Sequence, residues 1–131
     1  MSEGQGSPTE VICDGPDNIA VNLVELTDDD PSSKVGQMKI YTQKNGRTPT
    51  GLTPVVTSAH TTRDIDLAVK FHRKVLQNEL LIDEVLSSEE QNEFLQLPRN
   101  AKTAVKFMQG NHMFGKIAFS QPLNYEFHAM V

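Results

Sequence analysis

The sequence contains no tryptophan and only one cysteine, Cys13, among its 131 residues. A single cysteine excludes an intramolecular disulfide and any metal site built from several thiolates. Because Cys13 lies in the apolar stretch VICDG, we expect a reduced thiol in the protein interior rather than a nucleophile. The chain has no apolar run of about eighteen residues, so no membrane span is predicted. With no apolar signal core near the N-terminus either, an intracellular, cytoplasmic protein is expected.

Positive charge is also scarce, since 12 Lys and Arg residues stand against 17 Asp and Glu residues and give a net charge of −5. Nucleic-acid binding is therefore not expected, because it requires clustered Lys and Arg to neutralise phosphates. The tightest basic group, Lys70, Arg73 and Lys74, is predicted to lie on a solvated helix face. The apolar content of 37% is sufficient for one modest core.

Turn signals divide the chain into four parts. Residues 1–10 are polar and are expected to be disordered. Residues 11–50 predict a strand hairpin around the turn DGPDN, followed by a long linker in which QMKIYTQ forms a short strand. Residues 51–122 predict a compact α+β unit, and residues 123–131 form a tail without a clear period.

The most distinctive segment is a helix that is followed almost at once by a strand. Apolar residues recur at helical spacing from Ile65 to Leu76, and TTRD, from Thr61 to Asp64, has the pattern of a capping box. Only Gln77 and Asn78 separate this helix from the next apolar run. Strands are then predicted at Glu79–Leu86, at Glu93–Leu97, at Lys102–Gln109 and in GKIAFSQ.

These segments together resemble the vicinal oxygen chelate superfamily, which contains glyoxalase I, bleomycin- and fosfomycin-resistance proteins and extradiol dioxygenases. DIDLAVKFHRKVLQNEL is similar to the family's helix motif D-L-x-x-A-x-x-F-Y-x-x-x-L-G-x-E-L, with His72 and Gln77 in place of the usual Tyr and Gly. FGKIAFSQP resembles an opening strand, H-H-I-A-F, and GPDNIAVNLVEL resembles a closing strand. The matching helix residues are Asp64, Ala68, Phe71, Leu76, Glu79 and Leu80.

The resemblance implies an α+β fold built on a βαβββ module, in which one main helix covers the outer face of a curved mixed sheet. Residues 51–122 would then hold one module and the start of a following strand, and residues 11–50 the end of a preceding module. A sheet divided in this way has open edges. We therefore expect either a fragment of a longer protein or a homodimer in which two copies complete a shared barrel or sheet.

The resemblance also implies where a ligand would bind. The family's cleft often holds a divalent metal, bound by His, Gln or Glu near the start of a first strand and by Glu on a closing strand. Here Asn22, Thr57 and Lys116 occupy those positions, and none of them is a suitable cation ligand. His60 follows the first strand and could reach the rim of the cleft. These four residues are the candidate ligand-binding set, and no metal ligand or catalytic residue is assigned.

Two functions follow from these positions. The first is a metal-free module that binds a small organic molecule or has no catalytic role, with Lys116 facing an anionic group of the ligand or a carboxylate of the protein. The second is a metal-dependent glyoxalase- or dioxygenase-type enzyme, whose ligands lie a residue or two away or outside this chain. An unrelated α+β interaction domain is a third possibility, and the sequence does not identify a substrate.

Overall fold

The computed structural model describes residues 9–45, 49 and 51–126, which belong to two units divided between Thr53 and Pro54. The predicted disordered segment lies outside the described residues except for Thr9 and Glu10, and so does the end of the predicted tail, residues 127–131. The described elements of the first unit are β1 (Glu10–Asp14), a 3₁₀ turn (Pro16–Asn18), β2 (Ala20–Val24) and α1 (Lys34–Lys44).

Strands β1 and β2 form an antiparallel hairpin where the sequence predicts two strands around a turn. Asp17 and Asn18 adopt positive φ angles of 57° and 59° in that turn, a conformation that Asp and Asn tolerate better than most residues. All the strand residues of the hairpin are exposed. The prediction of an interior Cys13 is therefore wrong, because the apolar run around it lies in a two-stranded hairpin with both faces exposed.

The prediction of a strand at QMKIYTQ is also wrong, because these residues belong to helix α1. The Oγ of Ser33 caps the helix by accepting a hydrogen bond from the backbone N–H of Gly36 at 2.9 Å. Met38 and Thr42 are the buried side chains, and their spacing of four residues is helical. Ile40 and Tyr41 are residue types that favour strands, but here they occupy the helix positions between the buried Met38 and Thr42.

The second unit contains a four-stranded mixed sheet and two helices. In chain order these elements are β3 (Thr57–Thr61), α2 (Ile65–Lys74), β4 (Glu79–Leu86), α3 (Glu89–Phe94), β5 (Thr103–Gln109) and β6 (Lys116–Pro122). The strand order is β3-β6-β5-β4, in which β3 and β6 are parallel and the other neighbours are antiparallel. The predicted α+β class with a curved mixed sheet is confirmed.

Helix α2 begins one turn later than the capping box predicted. The capping residue is Asp64 rather than Thr61, and its Oδ1 accepts a hydrogen bond from the N–H of Leu67 at 2.9 Å. Thr61 is instead the last residue of β3, so its hydroxyl is unavailable to the helix. After the helix ends, Gln77 reverses the chain with a positive φ of 54°. This conformation favours glycine, which is the residue of the family motif at that position.

The predicted strand at Glu93–Leu97 is wrong, because most of it belongs to the short helix α3 or to the turn that follows. Ser88 caps this helix through a hydrogen bond from the N–H of Gln91 to its Oγ. The three strands that follow α2 are consequently β4, β5 and β6. GKIAFSQ therefore does not begin a following module; it forms β6, which lies between β3 and β5 in the same sheet.

One part of the core of the second unit lies between α2 and the sheet. Ile65 and Val69 are the buried side chains of the helix, and Met108 of β5 is only 1% exposed. His72, predicted to lie on the buried side of the helix, is half-buried and packs edge-to-face on Phe119 with ring centroids 5.0 Å apart. Among the described residues, no helix is long and apolar enough to cross a membrane.

Candidate functional site

The two faces of the sheet are identified by the contacts of α2. The ring of His72 meets Phe119 of β6, and Nζ of Lys106 on β5 lies 3.1 Å from the carboxylate of Asp66. Side chains on a strand alternate between faces, so the neighbours of Phe119 in β6 point away from α2. We call the side that contacts α2 the helix-covered face and the opposite side the helix-free face.

Thr57 and Lys116 are directly paired on the helix-free face. They are Cα partners in the parallel ladder between β3 and β6, at its first position. Further along the same two strands, the hydroxyls of Thr61 and Ser120 lie 3.3 Å apart. The same face continues across β5 with apolar side chains, of which Phe107 is half-buried. The sheet thus brings hydroxyls, an ammonium group and an apolar surface together.

Lys116 is buried, with 9% of its surface exposed. Its Nζ donates a hydrogen bond to the carbonyl oxygen of Met113 in the preceding loop, at 2.5 Å. Its backbone N–H donates to the carbonyl of Val56 at 2.9 Å, which fixes the start of β6 beside the residue that precedes β3. The carbonyl of Met113 therefore holds the ammonium group on the preceding loop, and the strand ladder holds the backbone of Lys116 beside Thr57.

His60 points to the other side of the sheet. Its ring centroid lies 6.4 Å from that of Phe119, which belongs to the helix-covered face, and its Nε2 is 3.2 Å from the Oγ of Ser58. His60 is three positions after Thr57 in β3, and residues an odd number of positions apart in one strand point to opposite faces. The strand period alone could therefore have separated His60 from Thr57 and Lys116.

Asn22 lies in β2 of the first unit, opposite Ile12 in the hairpin ladder. Its side-chain amide donates a hydrogen bond to the carboxylate of Glu10 on the neighbouring strand. Because Asn22 belongs to a different unit from the other candidates, only Thr57 and Lys116 of the predicted set are brought together by one sheet face.

The groups that could bind a metal are dispersed. Within the described ranges, no group of three or more His, Cys, Asp or Glu residues could hold a metal ion. The positions where the resemblance implies ligands carry the hydroxyl of Thr57 and the ammonium of Lys116, and a cation repels the latter. The chemistry available on the helix-free face is hydrogen bonding by hydroxyls, the positive charge of Lys116 and packing against apolar groups.

One charged cluster was not predicted from the sequence. Nζ of Lys106 lies between Asp66 of α2 at 3.1 Å and Asp83 of β4 at 3.4 Å, so it joins the helix to two strands. The hydrogen bond to Asp66 is the main cause of a raised pKa at Lys106, which keeps the ammonium charged. The cross-strand pairing of Asp83 with Lys106 was the missing information, since it follows from a register that the sequence does not reveal.

A groove beside α2 was not predicted either. It is lined by apolar helix residues and by Phe119, and its volume is about 610 Å³. Leu67 and Phe71 are 62% and 52% exposed there, and neither belongs to the set of apolar residues at helical spacing from Ile65 to Leu76 that predicted the helix. The period of the pattern does not show how wide a stripe the sheet covers, and here it covers only the side that carries Ile65 and Val69.

Comparison with known proteins identifies no relative: no protein family, no curated protein and no solved structure matches the chain. The resemblance to the vicinal oxygen chelate superfamily therefore depends on the motifs in the sequence, and membership in that superfamily stays a prediction. Function has to be argued from the geometry of the second unit.

Proposed function

We propose that the second unit is a glyoxalase-like module of the vicinal oxygen chelate type that binds a small organic molecule without a metal. The observation that carries the proposal is the order strand, helix and three strands in one mixed sheet, with α2 on one face only. The short helix α3 is an insertion between the second and third strands of that order. In this proposal the ligand lies on the other face, as in the family's cleft.

The binding surface in this proposal is the helix-free face around Thr57 and Lys116. The threonine hydroxyl offers a donor and an acceptor, and the buried ammonium supplies positive charge for an anionic group of the ligand. The hydroxyl pair of Thr61 and Ser120 and the apolar side chains of β5 extend the surface. A polar organic molecule with an acidic group and an apolar body fits this combination.

Metal analysis of the purified full-length protein tests the metal-free character. The proposal expects Fe, Ni, Zn and Mn well below one equivalent per chain. A stoichiometric amount of any of them would overturn it and favour the alternative, a metal-dependent glyoxalase- or dioxygenase-type enzyme, in which one metal binds two oxygens of the substrate. Thr57→Val and Lys116→Met keep the approximate shapes of the side chains. Each should lower the affinity of the protein for a ligand found by screening.

We also propose that two copies associate through the edge of β3. Within the described residues, β3 is paired on one side only, and Thr57–Thr61 contains neither a charged residue nor a bulge. The opposite edge strand, β4, carries Glu79, Asp83 and Glu84 and has a register irregularity, which are features that protect an edge from pairing. The unprotected edge is the one that a homodimer would cover.

Separate lysine substitutions in the two edge strands, β3 and β4, test this assembly. Sedimentation at micromolar concentration should show a particle of twice 14.6 kDa for the wild type. Ala59→Lys places a charge in the middle of β3 and should give a monomer, whereas Val85→Lys, a matched change on exposed β4, should leave the dimer intact. A monomeric wild type, or a dimer that survives Ala59→Lys but not Val85→Lys, would show that the edge of β3 is not the interface.

A further inference from the structure

The groove beside α2 is separate from the proposed cleft, because it lies on the helix-covered face. Its walls are Leu67, Phe71 and His72 of α2 and Phe119 of β6, and Thr62, Arg63 and Asp64 form one end. We propose that this groove is a second ligand site, which binds a planar aromatic carboxylate with a single ring or two fused rings. The proposal does not depend on the metal-free cleft, since the two surfaces share no side chain.

Aromatic rings form a continuous surface along the groove. Phe71 contacts His72 edge-on at 5.8 Å between ring centroids, His72 contacts Phe119 at 5.0 Å, and His60 lies beyond Phe119 at 6.4 Å. Phe71 is 52% exposed, so part of its ring remains free to pack against a ligand. Aromatic side chains prefer offset or edge-to-face contact with a further ring, which favours a planar aromatic ligand over an aliphatic one.

Arg63 and Asp64 are the charged groups at the end of the groove. The guanidinium of Arg63 makes no hydrogen bond or ion pair within the part of the chain that the structure describes. The carboxylate of Asp64, in contrast, is already used as the cap of α2, where Oδ1 accepts from the N–H of Leu67. Arg63 is therefore the group at this end that can bind a ligand anion, because a guanidinium binds a carboxylate through two parallel hydrogen bonds.

His72 adds a second donor along the wall. The side-chain amide of Asn78 lies 3.3 Å from Nδ1 of His72, and an amide N–H₂ can only donate. In the neutral ring the proton is therefore on Nε2, which leaves a donor on a residue that lines the groove. An aromatic acid with a further oxygen substituent would satisfy both this donor and Arg63.

The test compares 2-naphthoate with 2-naphthamide, its uncharged counterpart of the same shape, on the full-length protein by two-dimensional amide NMR. Because the groove is open, we expect 2-naphthoate to bind with a Kd of about 0.1–1 mM. The amide signals of Leu67 and Phe71 should shift, and 2-naphthamide should bind at least about threefold more weakly. Arg63→Gln should weaken the binding of 2-naphthoate by about three- to tenfold. Arg73→Gln, which removes the same charge from α2 outside the groove, should not.

Several results would overturn the site. Equal binding of the acid and the amide, or an Arg63→Gln affinity equal to that of the wild type, would exclude recognition of the anion. No shifts at about 5 mM 2-naphthoate would exclude the site at any useful affinity. Shifts at Thr57 and Lys116 without shifts in the groove would favour the proposed cleft instead. Groove signals that move with protein concentration alone would assign the groove to contact with a second copy.

Discussion

Asn92 is the residue whose replacement tests the description of the second unit most directly. It lies in α3, is 0% exposed, and donates both hydrogens of its side-chain amide, to the carbonyl oxygens of Arg99 at 3.1 Å and Ala101 at 3.0 Å. Its Oδ1 has no hydrogen-bond partner among the described residues. One amide thus ties the helix to the loop before β5, at the cost of a buried unsatisfied oxygen.

The substitution Asn92→Asp keeps the volume of the side chain and removes both donors. Two hydrogen bonds of about 1 kcal/mol each are lost, and the carbonyls of Arg99 and Ala101 then face oxygen atoms, which adds about 1–3 kcal/mol for buried groups without partners. We expect the free energy of unfolding to fall by about 4 kcal/mol at neutral pH. In urea, with a slope of about 1.5–2 kcal/mol per molar, the midpoint should decrease by about 2–3 M.

The pH dependence gives the sharper result. Burial raises the folded-state pKa of the introduced carboxyl above its unfolded value of about 3.9. Below pH 4 the group is protonated in both states and can donate to one carbonyl, so the loss of stability should be smallest there. The loss should grow as the pH rises from 4 through the folded-state pKa, because only the unfolded chain ionises readily.

The matched control is Asn100→Asp, which makes the same chemical change at an exposed position of the same loop. It should change the unfolding free energy by less than about 0.5 kcal/mol. Urea unfolding followed by far-ultraviolet circular dichroism at pH 4 and pH 7 measures both variants, and a chain already unfolded at pH 7 can still be measured at pH 4. Equal stabilities of the two variants at both pH values would refute the assigned contacts of the Asn92 amide.

Two further substitutions test α1 and the charged cluster. A Cβ on Gly36 would lie 1.9 Å from the carbonyl oxygen of Asp30, so Gly36→Ala should reduce the hydrogen-exchange protection of α1 by at least about 2 kcal/mol. The control Gln37→Ala should leave that protection unchanged. A Gly36→Ala variant with increased protection would contradict the contact with Asp30. Lys106→Met should cost about 1 kcal/mol at pH 8, since the two aspartate partners are 85% and 57% exposed. The raised pKa means that this contribution is present below about pH 10.4 and is lost as the pH rises through the folded-state value. Urea midpoints of Lys106→Met and exposed Lys102→Met at pH 8 and above pH 11 check the sign.

Elements with a strong local period were predictable from the sequence. The strand Glu79–Leu86 has the predicted bounds, and α2 occupies most of the predicted helix. The two helices that were missed are α1 and α3, which have eleven and six residues. Both begin after a serine cap, at Ser33 and Ser88, and this signal was present in the sequence. It was outweighed by Ile, Tyr, Phe and Leu residues that favour strands in short windows.

The candidate site could be predicted only in part, because it depends on pairing between distant segments. Thr57 and Lys116 belong to the first and the last strand of the second unit in chain order. They are paired because β6 inserts between β3 and β5 in the sheet. No local pattern specifies that insertion. The separation of His60 from Thr57, in contrast, follows from the two-residue period of a strand and was available from the sequence.

Strand β6 connects the two proposed sites and also allows them to be distinguished. Its successive side chains alternate between faces, so Phe119 contributes to the groove beside α2, whereas its neighbour Ser120 pairs with Thr61 on the helix-free face. A ligand of the cleft should therefore perturb the side chain of Ser120 and leave the ring of Phe119 unchanged, and a ligand of the groove should do the reverse. Because the two residues share a peptide bond, only side-chain signals, and not backbone amides, separate the two sites at this strand.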